Sequence, residues 1–202
     1  YAFSGFMTAL VVFLIMRWSQ KIHDLNHIIY LIFISYIIGL ATGLHLLNLL
    51  TIPFIGLIIY FSIGKLSTKN LILTFIFSLI IFFGIQSVII KGLPQLTASL
   101  GLVGLSFLII LWVIATIYSI KSNKTFLSIF LSSVLLIVIG YSTYFAIFIR
   151  SGQNPNIDEN NPETISEAIS YLNRDQYGQM TILPRKFDNL PSKVSIVGSP
   201  AD

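Results

Sequence analysis

"HIIYLIFISYIIGLATGLHLLNL", residues 27–49, decides the fold. It contains no Asp, Glu, Lys or Arg. A helix needs about 20 apolar residues to cross the hydrocarbon core of a bilayer, and this run supplies them. Only its far end is polar. Thr42, His45 and Asn48 are spaced by three, which on an unbroken helix puts them on one face. Gly39 and Gly43 are four apart and leave room for a neighbouring helix to approach. The face has two readings. Either His45 and Asn48 bond to another helix or cap this one, or they line a polar cavity open to one side of the membrane.

The rest of the chain reads the same way. Of 202 residues, 55% are hydrophobic and 10% charged, with a mean hydropathy of +0.86. Soluble domains carry about 25% charged residues. The expected fold class is therefore all-α, a polytopic helical membrane bundle. Expected spans lie at 1–17, 27–49, 52–64, 70–90, 98–120 and 125–149, with five as the alternative count. A turn is expected at Thr51-Ile52-Pro53, since the residue before a proline disfavours helix. The third span is short.

Charge layout gives the orientation. Residues 1–149 hold seven Lys/Arg against the single acid Asp24, and residues 150–202 hold five against seven acids. With six spans, the loops carrying Arg17 and Lys21, Lys65 and Lys69, and Lys121 and Lys124 fall on one side. That side is cytoplasmic by the positive-inside rule. The expected organisation is a transmembrane domain over 1–149 and an extracytoplasmic segment over 150–202. The AT-rich style of residue usage suggests a bacterial inner membrane, with the segment periplasmic. Within it, "NPETISEAISYLNRDQYG" predicts an amphipathic helix over about 161–177. Asn161 is its expected N-cap and Pro162 its first helical residue.

Few residues suggest chemistry. Lys91 and Arg150 stand at the expected outer boundary, as anchors for the interface or as contacts to an anionic head group. There is no cysteine, phosphate-binding loop, His/Cys cluster or carboxylate pair in the membrane part, and no metal site is identified. The charge layout excludes a nucleic-acid partner. Ion-coupled transporters place charges mid-span, and none falls there. A lipid-linked substrate transporter or a scaffold without catalysis remain the alternatives to an enzyme.

Three stretches carry a resemblance. "YAFSGFMTALVVFLIMRW" resembles the span following a Glu-Val-Tyr-type motif in the transmembrane-protein-260-like group. "GLATGLHLLNLLTIP" resembles that group's Gly-x-x-x-Gly-x-His-x-Leu-Asn segment. "GYSTYFAIFIRSGQNPNIDENNPETISEAISYLNRDQYG" is similar to the segment leaving its last span here, and "LPRKF" also fits. The group is similar to protein O-mannosyltransferases of the GT-C class. The resemblance implies transfer of a mannose-like sugar from a polyprenyl-phosphate carrier to Ser or Thr of a translocated protein. The implied partners are membrane lipid, the lipid-linked sugar and the acceptor protein. No cofactor is identified, though a divalent metal is compatible. The catalytic carboxylate is expected ahead of Tyr1, in a longer protein of which this chain is an internal piece. His45, Asn48 and Thr42 are the expected carrier-lining residues. Lys91, Arg150, Asn160, Asn161, Arg174 and Tyr177 are the candidates for the acceptor side or for phosphate contacts.

Overall fold

The structure is a computed structural model that describes residues 2–63, 66–156 and 162–173. Among these residues every regular element is helical. The elements are α1 (Ala2–Gln20), α2 (Ile28–Leu44), a 3₁₀ turn (Leu46–Leu50), α3 (Thr51–Ile63), α4 (Thr68–Gly84), a π-helical stretch (Ile85–Lys91), α5 (Gly92–Lys121), α6 (Thr125–Ser142), a 3₁₀ turn (Thr143–Phe145), α7 (Ala146–Ser151) and α8 (Ile165–Asn173). Residues 2–20, 46–63, 68–121 and 125–151 form four stretches long and apolar enough to cross a membrane, with the shorter apolar α2 between the first two. Large apolar side chains such as Phe13, Phe33, Phe77 and Ile110 face outward, the pattern of a bundle whose solvent is lipid.

Two expected boundaries are corrected. The chain does not break at Thr51-Ile52-Pro53. It breaks at His45, whose backbone is extended (φ −160°, ψ 123°), and runs helically from Leu46 through Pro53 to Ile63. Pro53 sits in the first turn of α3, where its missing N–H has no partner to lose. The third span is therefore longer than 52–64. The second correction concerns the expected spans 70–90 and 98–120, which lie in one helical run. Pro94 does not end it. Pro94 cannot donate to the preceding turn, and the wide π turn just before it is where the ladder absorbs that defect. The run is broken instead at Gly101 (φ 67°, ψ 175°), a conformation essentially confined to glycine.

Packing fixes the directions. Ser4 and Thr8 of α1 bond Asn48, just past the end of α2, while Trp18 meets His27 at its start, so α1 and α2 are antiparallel. Gly56 of α3 faces Ser78 and Thr74 of α4, and Tyr60 bonds Ser67 across a short connection, so these two are also antiparallel. α5 and α6 form a hairpin over residues 122–124, tied where the Trp112 indole N–H donates to the Leu131 carbonyl (3.1 Å). α2 and α6 touch at Gly39 against Ile137, Gly140 against Tyr36 and Leu40, and Gly43 against Tyr144. Residue numbers rise together along that contact, so α2 and α6 are parallel. Parallel packing requires an odd number of crossings between them, and α3, α4 and residues 102–121 provide three.

Candidate functional site

One end of the bundle gathers the break at His45, the start of α1, the end of α4 with its π stretch, the end of α6, α7 and α8. The opposite end holds Arg17 and Lys21, the start of α4 with Lys69, and the α5–α6 hairpin with Lys121 and Lys124. α8 packs against α5 and the π stretch. The polar end of α2 and the described part of the acidic segment therefore share one end.

Asn48 ties the break to α1 and adds side-chain bonds to two carbonyls that backbone N–H groups also reach, Ala41 from His45 (2.9 Å) and His45 from Asn48 (3.0 Å). Its Nδ2 donates to the carbonyls of Ala41 (2.7 Å) and His45 (2.9 Å). Its Oδ1 accepts from the hydroxyls of Thr8 (2.6 Å) and Ser4 (3.3 Å). Both amide hydrogens are used, and the amide orientation follows from the network. Asn48 is 3% exposed. Ser4 and Thr8 are four apart in α1 and so share a face. Their pairing with Asn48 was signalled in the sequence only by that spacing.

The break also corrects the shared helical face of Thr42, His45 and Asn48. Thr42 lies in α2, is buried, and donates to the Ile38 carbonyl of its own helix (2.7 Å). His45 is the hinge. Its N–H still reaches the Ala41 carbonyl (2.9 Å), while its Nδ1 accepts from the Leu47 N–H (3.2 Å) and starts the 3₁₀ turn. An accepting Nδ1 places the proton of a neutral imidazole on Nε2. His45 is half-buried.

Lys91 closes the π stretch and Arg150 lies in α7, both exposed at this same end. Asn160, Asn161, Arg174 and Tyr177 lie outside the described residues. The helix expected at 161–177 is described over Ile165–Asn173. Pro162 and Glu163 precede it instead of opening it. The described start is a capping box. The Thr164 N–H and hydroxyl donate to Glu167 Oε2 (both 2.8 Å), and the Glu167 N–H donates to Thr164 Oγ1 (3.2 Å). Those bonds from Thr164 hold the Glu167 carboxyl below its usual range.

Among the described residues no group of three or more His, Asp or Glu comes together. Among the described candidates at this end His45 is the one imidazole or carboxylate, fewer ligands than a divalent ion takes, and no metal enters the chemistry below. The end face can donate hydrogen bonds and present cations, but Thr42, His45 and Asn48 include no carboxylate. No curated protein and no solved structure matches the chain. Residues 1–70 match a family described as the protein O-mannosyl-transferase TMEM260 N-terminal domain. That match includes the first two stretches that carry the resemblance and ends before the third. It also contains α1, α2, the His45 break and α3, so the polar knot lies wholly inside the matched segment. Over residues 1–70, about a third of its length, the chain is similar to the TMEM260 N-terminal-domain family.

Proposed function

We propose that this chain forms membrane core of a GT-C glycosyltransferase, which moves a mannose-like sugar from a polyprenyl-phosphate carrier to Ser or Thr of a translocated protein. The observation that carries this reading is the family match over residues 1–70. The geometry supports the sidedness the reaction needs. The polar end and α8 share one end of the bundle, and the lysine-rich turns occupy the other, as the positive-inside rule requires of an extracytoplasmic reaction face. In a bacterial inner membrane that face is periplasmic.

In this reading the half-buried His45 lines the carrier site, and Asn48 holds the helix break that presents it. Lys91 and Arg150 attract the carrier phosphate or the acceptor segment. In this reading a carboxylate removes the acceptor hydroxyl's proton, and these residues do not supply one.

The test is His45→Ala in the full-length protein, assayed for transfer from a polyprenyl-phosphate sugar to a Ser/Thr peptide alongside thermal stability in detergent. Transfer should fall by roughly tenfold or more, as for loss of one orienting contact, with little change in melting temperature. A proportional fall of both would make His45 a packing residue and remove it from the site.

A further inference from the structure

Between α4 and residues 102–121 the chain must reverse direction, and it does so through an unusual piece of backbone. The π stretch Ile85–Lys91 begins the piece and Gly101 ends it. π-helical turns are marginal structures that recur at functional positions. Gly101 is the one positive-φ glycine among the described residues, and a Cβ built there meets nothing within 4 Å. Neighbouring side chains therefore do not pin this pivot. The segment between is anchored on one face only. Ile85, Ile89 and Ile90 are buried in the same apolar cluster as Leu49 and Ile52, which flank the Asn48 knot, and Leu93 packs against that cluster. Ser87 and Val88, on the other side, are exposed. The one element of the acidic segment described as a helix, α8, packs on this piece, touching both the π stretch and α5. Its start is locked by the reciprocal Thr164–Glu167 bonds.

We propose that residues 85–101 form a hinged strap at the Asn48 end of the bundle, latched by α8, and that release of α8 lets the strap lift from Leu49 and Ile52. Neither α4 nor residues 102–121 has to unfold for this motion, because each has its own partner, α3 and α6. The proposal concerns access to this end of the bundle and stands whether or not the chemistry there is sugar transfer.

These 202 residues hold no cysteine, so once any cysteine elsewhere in the full-length protein is replaced, introduced thiols can be labelled singly. Spin labels at Leu47 and Leu96 in the full-length protein, reconstituted in lipid nanodiscs, report the strap against the 3₁₀ turn. In the parent the distance distribution should be narrow. With Thr164→Ala and Glu167→Ala together it should broaden and gain a longer component. A reference pair at Phe33 and Phe130 should stay narrow in both backgrounds. An unchanged Leu47–Leu96 distribution overturns the latch, and so does broadening of the reference pair, which would mean general unfolding. A single cysteine at Ile89 should react with a membrane-impermeant maleimide roughly tenfold faster in the latch variant, as the open population rises. An unchanged rate overturns the lifting motion.

Discussion

Asn48 is the residue on which the α1–α2 junction turns. A lone asparagine near the end of an apolar run could serve substrate or structure, and its partners decide what it does first. It adds a side-chain bond to each of two carbonyls beside the break at His45 and ties them to α1 through Thr8 and Ser4. Asn48→Ala removes these bonds and leaves the Thr8 hydroxyl without its acceptor, and should cost about 1–3 kcal/mol. Thr8→Val removes one interhelical bond and should cost about 0.6 kcal/mol, the average for such bonds within membranes. The two sites share a bond, so the double variant should fall short of the sum of the single costs. Reversible unfolding in mixed micelles measures all three. Additive costs would mean that the Thr8–Asn48 contact carries no coupling.

At the scale of elements, the closest approach is α2 on α6. A Cβ at residue 140 would stand 2.5 Å from the Tyr36 carbonyl oxygen and 2.7 Å from the Leu40 nitrogen, and one at residue 39 would strike the Ile137 carbonyl. Backbone cannot step aside as a side-chain tip can, so Gly140→Ala should push the helices apart and cost about 1–3 kcal/mol. Gly5→Ala is the contrast. Nothing lies within 4 Å of its Cβ position, and the change should be neutral or stabilise by up to about 1 kcal/mol through helix propensity. Melting in detergent separates the two. α8 carries a pH prediction. The Glu167 carboxyl titrates below its ordinary value because Thr164 bonds its charged form. Its contribution to the helix start is therefore complete above the ordinary carboxylate pKa and is lost as pH falls through the lowered one. Amide exchange in residues 165–173 should accelerate on acidification through that range. In Glu167→Gln the acceleration should be absent.

These elements also show how far the sequence could be read. Apolar runs between basic turns located the helices, because a membrane demands length and hydrophobicity that few other structures need. Gly39 and Gly43 announced a close helix neighbour, and they face α6 and the 3₁₀ turn that follows it. The breaks were harder. Pro53 looked like an interruption, yet it and Pro94 both sit inside helices, and the real discontinuities are at His45 and Gly101. His45 becomes a break point because a side chain three residues on, supported by α1, accepts the role of capping α2, and that support is tertiary. The start of α8 was legible in principle, since Thr164-Ile165-Ser166-Glu167 is a capping-box sequence, but Asn161-Pro162 offered a competing start.

For the whole molecule, the decisive quantity is which compartment each end faces. The described directions put Asn156 at the end with His45, α7 and α8, and Ser122 at the opposite end, in the α5–α6 turn between Lys121 and Lys124. Lys and Arg in short loops hold an end on the cytoplasmic side far more strongly than acids hold the other, so Ser122 should be cytoplasmic and Asn156 outside. A single cysteine at Asn156, in the full-length protein expressed in bacteria, should react with a membrane-impermeant thiol reagent in intact spheroplasts. One at Ser122 should react only after permeabilisation. The parallel contact of α2 with α6 carries the result back to His45, because two parallel spans end on the same side. Labelling of both sites in intact spheroplasts would mean that residues 125–151, the helical stretch between them, fail to cross. The reversed pattern would place His45 and α8 in the cytoplasm, where a translocated acceptor chain never passes, and the sugar-transfer reading could not stand.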